Sequence, residues 1–421
     1  MLRIGSTIRF RISTLLAAHW WAFVASHSQW IRPVVFETVQ KLLACRTPVL
    51  GCHAYRCPSC GKTKVTPHSC KSRFCSTCGK QATDRWSDQV LGDLLDVAYH
   101  HLVMSVPWQL RSLIAVNREV GLNVMVRAAM GCLKQWALEQ HQMRMGIIAV
   151  IHTFGADLKW HPHVHLLVTE GGLSLDGTRW VQPYNRGWLM SHAGLKKMWR
   201  YHCLKGLREA HKQGELRFRS KEDFLKVYAC FNKFLSRLYK LKWYVHIGAS
   251  LEDPRATVKY IGRYTKRAVL AEYRITHYDT KIVRFAYKDY ANGGNTSYKT
   301  LPVLAFLARL IRHIPDKHFK MVRYAGLFAN RWKARNLELA KKALSRSPII
   351  SQPDEQPLST MPWRQRQTIL NGKDPLFCER CQVRMTFLGT IFGSHAKVAE
   401  YFEAAGIPTK PFHPAWELRP G

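Results

Sequence analysis

The chain has 421 residues, 47% of them apolar, which excludes a disordered polymer and leaves room for more than one packed domain. Lysine and arginine number 64 against 28 aspartates and glutamates, a net charge of +36 that excludes a predominantly acidic surface and points to a polyanionic partner, most simply nucleic acid. No apolar run reaches the roughly 18–20 residues of a spanning helix, so no membrane partner is expected.

In chain order, an apolar stretch from Leu15 to Val24 follows Arg3, Arg9 and Arg11 and has the outline of a secretory leader. His19 and the paired Trp20 and Trp21 fit that outline poorly. Residues 13–43 are instead expected to form two helices of a cytoplasmic protein. Seven of the twelve cysteines then fall between Cys45 and Cys78. Cys57-Pro58-Ser59-Cys60 and Cys75-Ser76-Thr77-Cys78 are two Cys-x-x-Cys knuckles separated by 14 residues, the spacing of a four-thiolate Zn2+ site. A pair of disulfides is the competing reading, and the lack of an export signal weighs against it. Cys52, His53, His68 and Cys70 lie in the same window as ligands of a second metal or as packing residues. The basic surroundings (Lys62, Lys64, Lys71, Arg73, Lys80, Arg85) suit a module that contacts DNA, or else a purely structural plug.

Residues 100–106 and 146–154 read as buried strands, 163–169 as a third strand, 242–247 as a fourth and 282–288 as a fifth. Helical spacing of apolar residues covers 117–141, and further helices are expected at 192–212, 223–240, 254–270 and 302–312. The turn Gly155-Ala156-Asp157 predicts a hairpin between the second and third strands. A segment rich in Ser, Pro and Gln at 346–363 reads as a linker, followed by a C-terminal piece with a lone knuckle, Cys378-Glu379-Arg380-Cys381, and a short helix near 394–405. Cys132, Cys203 and Cys230 are expected to be core thiols.

The third strand opens with His161-Pro162-His163-Val164-His165. Residues two apart on a strand share a face, so His163 and His165 converge while Val164 points into the core. That arrangement is a two-armed clamp for a divalent cation. His152 on the neighbouring strand and His161 are the candidates for a third ligand, with His152 preferred because Pro162 separates His161 from the pair. Few protein ligands with open positions suit Mg2+ or Mn2+. Acids are scarce near the clamp, which argues against a two-metal carboxylate nuclease.

Asp253-Pro254 is a strong helix start, and Tyr260 and Tyr264 stand at i and i+4 on one face of the helix that follows. Arg255, Lys259, Arg263 and Arg267 repeat every four residues beside them, with Lys266 adjacent, and no acid interrupts the run from Pro254 to Arg267. Like charges at this spacing disfavour a helix unless a polyanion lies alongside. These basic residues are the candidate DNA-binding set. On the helix alone, packing of one tyrosine in the core competes with a chemical role for both.

Taken together, these motifs resemble the transposases of the insertion sequence 91 family, within the HUH (His-hydrophobic-His) endonuclease superfamily. The resemblance spans residues from about 40 to 385. It rests on the Cys-rich stretch 57–78 with Ser69-Cys70-Lys71-Ser72-Arg73, and on His152-Thr153-Phe154-Gly155 leading into the histidine clamp. It rests equally on Tyr260-Ile261-Gly262-Arg263-Tyr264-Thr265-Lys266-Arg267, Arg323-Tyr324-Ala325-Gly326-Leu327 and the Cys378 knuckle. The resemblance implies nicking and rejoining of single-stranded DNA at element ends and target, in rolling-circle-like transposition. Tyr260 or Tyr264 would attack a phosphate polarised by the cation on His163 and His165, leaving a 5′-phosphotyrosine and a free 3′-hydroxyl. Host replication proteins are further candidate partners, and the nucleoid is the expected location.

The expected fold is α+β: an antiparallel sheet with flanking helices, a HUH or ferredoxin-like nuclease core, plus an N-terminal helical and zinc-binding module. The corresponding domains are 1–97 for the N-terminal helices and zinc module, 98–345 for the catalytic domain and 346–421 for the linker and tail. Two other classes compete: a zinc-containing nucleic-acid binder without catalysis, and a metal-assisted hydrolase that releases free ends. The sequence leaves open the DNA ends and targets, the tyrosine that attacks first, the number of zinc ions, the role of Cys378 and Cys381, and the oligomeric state.

Overall fold

The structure is a computed structural model that describes residues 10–183, 190–251, 253, 255, 258, 262, 269–345 and 361–391. In chain order its elements begin with helices α1 (Ile12–His27) and α2 (Pro33–Leu43), strands β1 (Cys52–Arg56) and β2 (Thr63–Pro67), and helix α3 (Ser76–Asp93). There follow β3 (Tyr99–Ser105), α4 (Trp108–Val116), α5 (Arg118–His141), β4 (Met143–Arg144), β5 (Gly146–Phe154) and β6 (Trp160–Thr169). Next come β7 (Gly172–Ser174), β8 (Trp180–Val181), α6 (His192–Lys212), α7 (Tyr228–Tyr239) and β9 (Tyr244–Leu251). The last are β10 (Ile275–Tyr278), β11 (Ile282–Asp289), β12 (Asn295–Pro302), α8 (Val303–Ile311), β13 (Val322–Gly326), α9 (Lys333–Ser345), α10 (Trp363–Asn371) and β14 (Thr386–Ile391).

Contacts divide the chain into two compact units. One gathers Met1–Gln89, Lys266–Ile314 and Glu355–Gly421; the other gathers Val90–Thr265 and Pro315–Asp354. The sequence suggests three consecutive domains, whereas each unit is assembled from separated segments. The α+β class stands: the described residues form helices and antiparallel sheets.

The unit containing Val90–Thr265 is built on a sheet of strand order β13-β5-β6-β3-β9, antiparallel at every pairing. Strict alternation sorts its side chains. Leu102 and Met104, Ile147, Ala149 and Ile151, and Val164, Leu166 and Val168 all enter one apolar core. Against them pack Leu122, Met125, Val126, Ala129 and Leu133 of α5 and Leu195, Trp199 and Leu204 of α6. Each Val, Leu, Ile or Met among them contributes about 1.5–3 kcal/mol by leaving water. The opposite face of the same strands is therefore free to carry polar groups. Gly326 is required where β13 ends against β5: its φ is +60°, and a Cβ there would lie 1.8 Å from the Met145 carbonyl oxygen. A small sheet, β4-β7-β8, packs with α9 through Leu173, Leu327 and Ala340.

In the other unit, α1 and α2 pair, and α1 also packs on α8. Pro33 opens α2 at the first helical position, where its missing N–H costs nothing. Strands β10, β11 and β12 form one sheet, with Phe285 packing on Phe306 of α8 at 5.8 Å between ring centres. A second sheet has the order β14-β1-β2, so the last described strand lies beside the first. Gly51 leads into β1 with φ +85°, and a Cβ there would meet the Ile391 carbonyl oxygen at 2.5 Å.

Several expected elements appear at their expected residues, among them β5 at 146–154 and α6 at 192–212. The β5–β6 hairpin also forms as expected. Strand β6 begins at Trp160, ahead of the expected start, and so includes Pro162. It accommodates the proline because β3 pairing starts only at His163 and the β5 ladder is irregular between His152 and Phe154. The single helix expected at 223–240 is split into a 3-10 turn, Ser220–Lys226, and α7. Strands β1, β2 and β14 lie outside the expected strands: β1 and β2 are short and hold few large apolar residues, and the apolar residues of β14 (Phe387, Leu388, Ile391) do not alternate. Of the expected helix 254–270, Arg255, Val258 and Gly262 are described and helical, whereas Val269 and Leu270 are described and form a bend, so the helix stops short of its expected end. The helix near 394–405 and most of the 346–363 linker lie outside the described residues. Among the described residues, no helix is long and apolar enough to cross a membrane.

Candidate functional site

The face of the central sheet turned away from the α5–α6 core carries the histidines. His152 of β5 and His163 of β6 are direct cross-strand partners, and Val150 faces His165 one step along. Val164 between the clamp residues is fully buried on the core side. One potential ligand atom from each of His152, His163 and His165 lies within 4.8 Å of the others. Ring centres are 5.2 Å apart for His152 and His163, 4.2 Å for His152 and His165, and 4.9 Å for His163 and His165. His152 and His165 are buried and His163 is half-buried. Adjacent antiparallel strands thus bring together the preferred third histidine with the pair.

His161, the alternative, is held differently. Its Nε2 lies 2.9 Å from Ser105 Oγ, and it is not one of the clustered three. Its carbonyl oxygen accepts a 2.8 Å hydrogen bond from His163 Nδ1. A carbonyl cannot donate, so the proton of neutral His163 sits on Nδ1 and its Nε2 keeps the lone pair. His165 Nδ1 lies 2.9 Å from Nε2 of His101 on β3, and the two ring planes are nearly parallel, at 7°. His101 and Ser105 are not among the site residues expected from the sequence. Their sequence gives a buried strand, and only the β3–β6 register sets Ser105 opposite His163 and Val103 opposite His165.

Burial keeps these imidazoles neutral. It pulls His163 down to about 4, with the Arg111 charge adding to the effect and the bond to His161 opposing it. His165 is held well below its ordinary value by burial and by His152, His163 and His101. His101 falls to about 4 through burial and His246, and His161 to about 4 through burial, His163 and Arg111. Neutral imidazole is the form that binds a metal, so His163 and His165 can take a divalent cation without first losing protons.

Tyr260, Tyr264, Lys259, Arg263, Lys266 and Arg267 lie outside the described residues. Arg255 is described, and its amide donates to Asp253 Oδ1 at 2.9 Å, the local bond expected where this acid opens a helix.

The cysteines assort differently from the expected site. Cys57 and Cys60 do not join Cys75 and Cys78. Instead Cys75 and Cys78 cluster with Cys45 and Cys70, and Cys57 and Cys60 cluster with Cys378 and Cys381. The physical reason is strand order: Cys57 and Cys60 sit at the β1–β2 turn, and β14 pairs with β1 to bring the late knuckle to that turn. In the first cluster Cys45 Sγ lies 3.6 Å from Cys78 Sγ and 3.8 Å from Cys75 Sγ, and Cys70 Sγ lies 3.7 Å from Cys78 Sγ. Every cysteine in the structure is unbridged. Burial and the neighbouring sulfurs push Cys45 up to about 11, so thiolates so close together need a cation. His53 and His68 belong to neither cluster and pack edge to face at 4.5 Å.

Residues 146–336 match the family model described as "Putative transposase", and residues 15–106 match the one described as "Transposase zinc-binding domain". The chain is 32% identical over 367 residues to the transposase for insertion sequence element IS801 of Pseudomonas savastanoi pv. phaseolicola, covering 86% of this chain and 85% of that protein. It is 29% identical over 339 residues to "Putative transposase y4qJ" of Sinorhizobium fredii (strain NBRC 101917 / NGR234), covering 80% and 84% respectively. No solved structure matches the chain.

Proposed function

Because this chain belongs to the insertion sequence 91 family of transposases, we propose that it moves its element by nicking and rejoining single-stranded DNA through a 5′-phosphotyrosine, in a rolling-circle-like process. The observation that supports this reading is the convergence of His152, His163 and His165 on one face of adjacent strands. They would hold one divalent cation, and three nitrogen donors favour Mn2+ over Mg2+. When bound, the cation polarises a phosphate oxygen and offsets charge that builds in the transition state.

The phenol oxygen of Tyr260 or Tyr264 attacks the scissile phosphorus. A new O–P bond forms, the bond to the 3′ oxygen breaks, and that oxygen leaves as a 3′-hydroxyl after taking up a proton. The phenol's own proton passes to solvent. The 5′-phosphate stays on the enzyme, and the other phenol or a new 3′-hydroxyl then resolves it. Arg255, Lys259, Arg263, Lys266 and Arg267 would carry the DNA backbone past the phenols. The cysteine-rich module holds structural Zn2+ and adds to DNA contact. Host replication proteins would extend the freed 3′ end, and the protein would work at the nucleoid in the cytoplasm.

The test uses the full chain, Mn2+ and a labelled single-stranded oligonucleotide carrying an element end. A covalent protein–DNA adduct that survives denaturant is expected, mapped by mass spectrometry to the peptide containing Tyr260 and Tyr264. Mobility shift without cleavage would indicate a binder, and cleavage without adduct a hydrolase. Nicking at full rate by the Tyr260→Phe, Tyr264→Phe double variant would remove the tyrosine mechanism.

A further inference from the structure

The region matched as zinc-binding ends at residue 106, and it contains one complete four-cysteine cluster: Cys45, Cys70, Cys75 and Cys78. Cys57 and Cys60 are left as half a site within it. The other half, Cys378 and Cys381, comes from a part of the chain beyond that region.

The two halves are local copies of each other. The Cys57 amide donates to the Lys62 carbonyl at 2.8 Å and the Gly61 amide donates to the Cys57 carbonyl at 3.0 Å. The Cys378 amide donates to the Val383 carbonyl at 2.9 Å and the Gln382 amide donates to the Cys378 carbonyl at 2.8 Å. The residue after each knuckle takes a left-handed backbone, with φ +73° at Gly61 and +54° at Gln382. Gln382 does so without the freedom of glycine, a strain that persists where the surroundings fix the loop. Each loop is closed by antiparallel pairing, Arg56 with Thr63 in one and Phe377 with Arg384 in the other.

Strand pairing sets the two loops side by side. Arg56 at the end of β1 is opposite Thr386 at the start of β14. Lys64 Nζ donates to the Pro375 carbonyl at 2.8 Å across the junction. Cys60 Sγ and Cys378 Sγ are then 3.8 Å apart, and all four sulfurs lie within 4.8 Å of one another. Zinc–sulfur bonds of about 2.3 Å in a tetrahedron put sulfurs roughly 3.8 Å apart, whereas a disulfide needs about 2.05 Å. The buried apolar material is slight: Cys57, Cys378 and Met385, flanked by Tyr55, Cys60, Cys381 and Val383. A cluster that small does not hold two loops without a cross-link.

We propose that Cys57, Cys60, Cys378 and Cys381 bind a second structural zinc ion, which fastens the C-terminal segment to the N-terminal hairpin. The site completes a three-stranded zinc ribbon of order β14-β1-β2. Its ligands come from positions more than three hundred residues apart, so the ion makes one folding unit of the two ends of the described chain.

The experiment is metal analysis of the full-length protein, with no DNA chemistry involved. Zinc per chain is measured by plasma mass spectrometry after gel filtration for wild type, Cys378→Ser/Cys381→Ser and Cys70→Ser/Cys78→Ser. The expected result is that each double variant loses one zinc relative to wild type. Unchanged zinc in Cys378→Ser/Cys381→Ser overturns the proposal. Should that variant fail to fold, wild type grown with Co2+ decides the matter. Thiolate-to-cobalt charge-transfer absorption equal to two tetrathiolate sites per chain supports it, and intensity equal to one overturns it. Histidine-bound cobalt gives no such band, so the nuclease site does not enter the count.

Discussion

The histidine triad and the cysteine clusters are both convergences of metal-binding side chains, and they are held by different forces. His152, His163 and His165 stand on two neighbouring strands whose other face is packed against α5 and α6. Their geometry is set by backbone hydrogen bonds and by burial of Val164, Leu166 and Ile151 behind them. The β1-β2-β14 ribbon has little apolar packing of its own. There the metal supplies the free energy that in the sheet comes from the core. A site that acts on substrate benefits from being preorganised, and a site that only ties the chain together does not need to be.

Metal removal should separate the two regions most sharply. A strong chelator is expected to raise amide exchange at Cys75, Gly79 and Cys57 at least about a thousandfold, since structural zinc contributes on the order of 10 kcal/mol. Amides of Ile148, Val150, Leu166 and Val168 should change little. Equal loss of protection in both regions would mean that the histidine sheet also depends on bound metal. Next in size, His163→Ala should lower single-strand cleavage about a hundred- to a thousandfold, because several kcal/mol of charge stabilisation are lost. Its zinc content at the cysteine clusters should match wild type. Cleavage within a factor of two of wild type would show that the triad is not the reactive centre.

Smaller effects test the scaffold. Gly326→Ala puts a Cβ against the Met145 carbonyl oxygen at a left-handed φ. A destabilisation of about 2–4 kcal/mol is expected, measured by urea unfolding, with the ribbon amides unaffected. The pH dependence of stability tests the same sheet. His101, His161 and His163 have folded values near 4, below the ordinary 6.5. Below about pH 6.5 the unfolded chain therefore binds more protons than the folded one, and stability falls as pH falls, until about pH 4 where the folded groups protonate too. The melting temperature of the metal-free protein should be lower at pH 5 than at pH 7.5. A flat profile across that range would mean that these rings are not held neutral.

Legibility in the sequence followed distance along the chain. The β5–β6 hairpin could be read because a turn of few residues joins two apolar strands, and the histidine parity then follows from side-chain alternation. His101 could not be read, because its place beside His165 depends on which strand lies next to β6. The cysteine pairing was misassigned for the same reason. Two knuckles 14 residues apart look like partners when only spacing is known. Cys45 and Cys70 compete for the second of them, and Cys378 and Cys381 for the first.

Local pattern in the sequence was enough for the strand and helix periods, the two-histidine face, the positive charge and the concentration of cysteines in knuckles. These depend on local alternation and on residue chemistry, which need no knowledge of the fold. Tertiary structure alone decided which thiols share a cluster, that Ser105 rather than the triad takes His161 Nε2, and that β14 closes a sheet begun by β1. Those outcomes depend on strand order and register between distant segments, where many pairings satisfy the same local pattern and only the packed whole selects one.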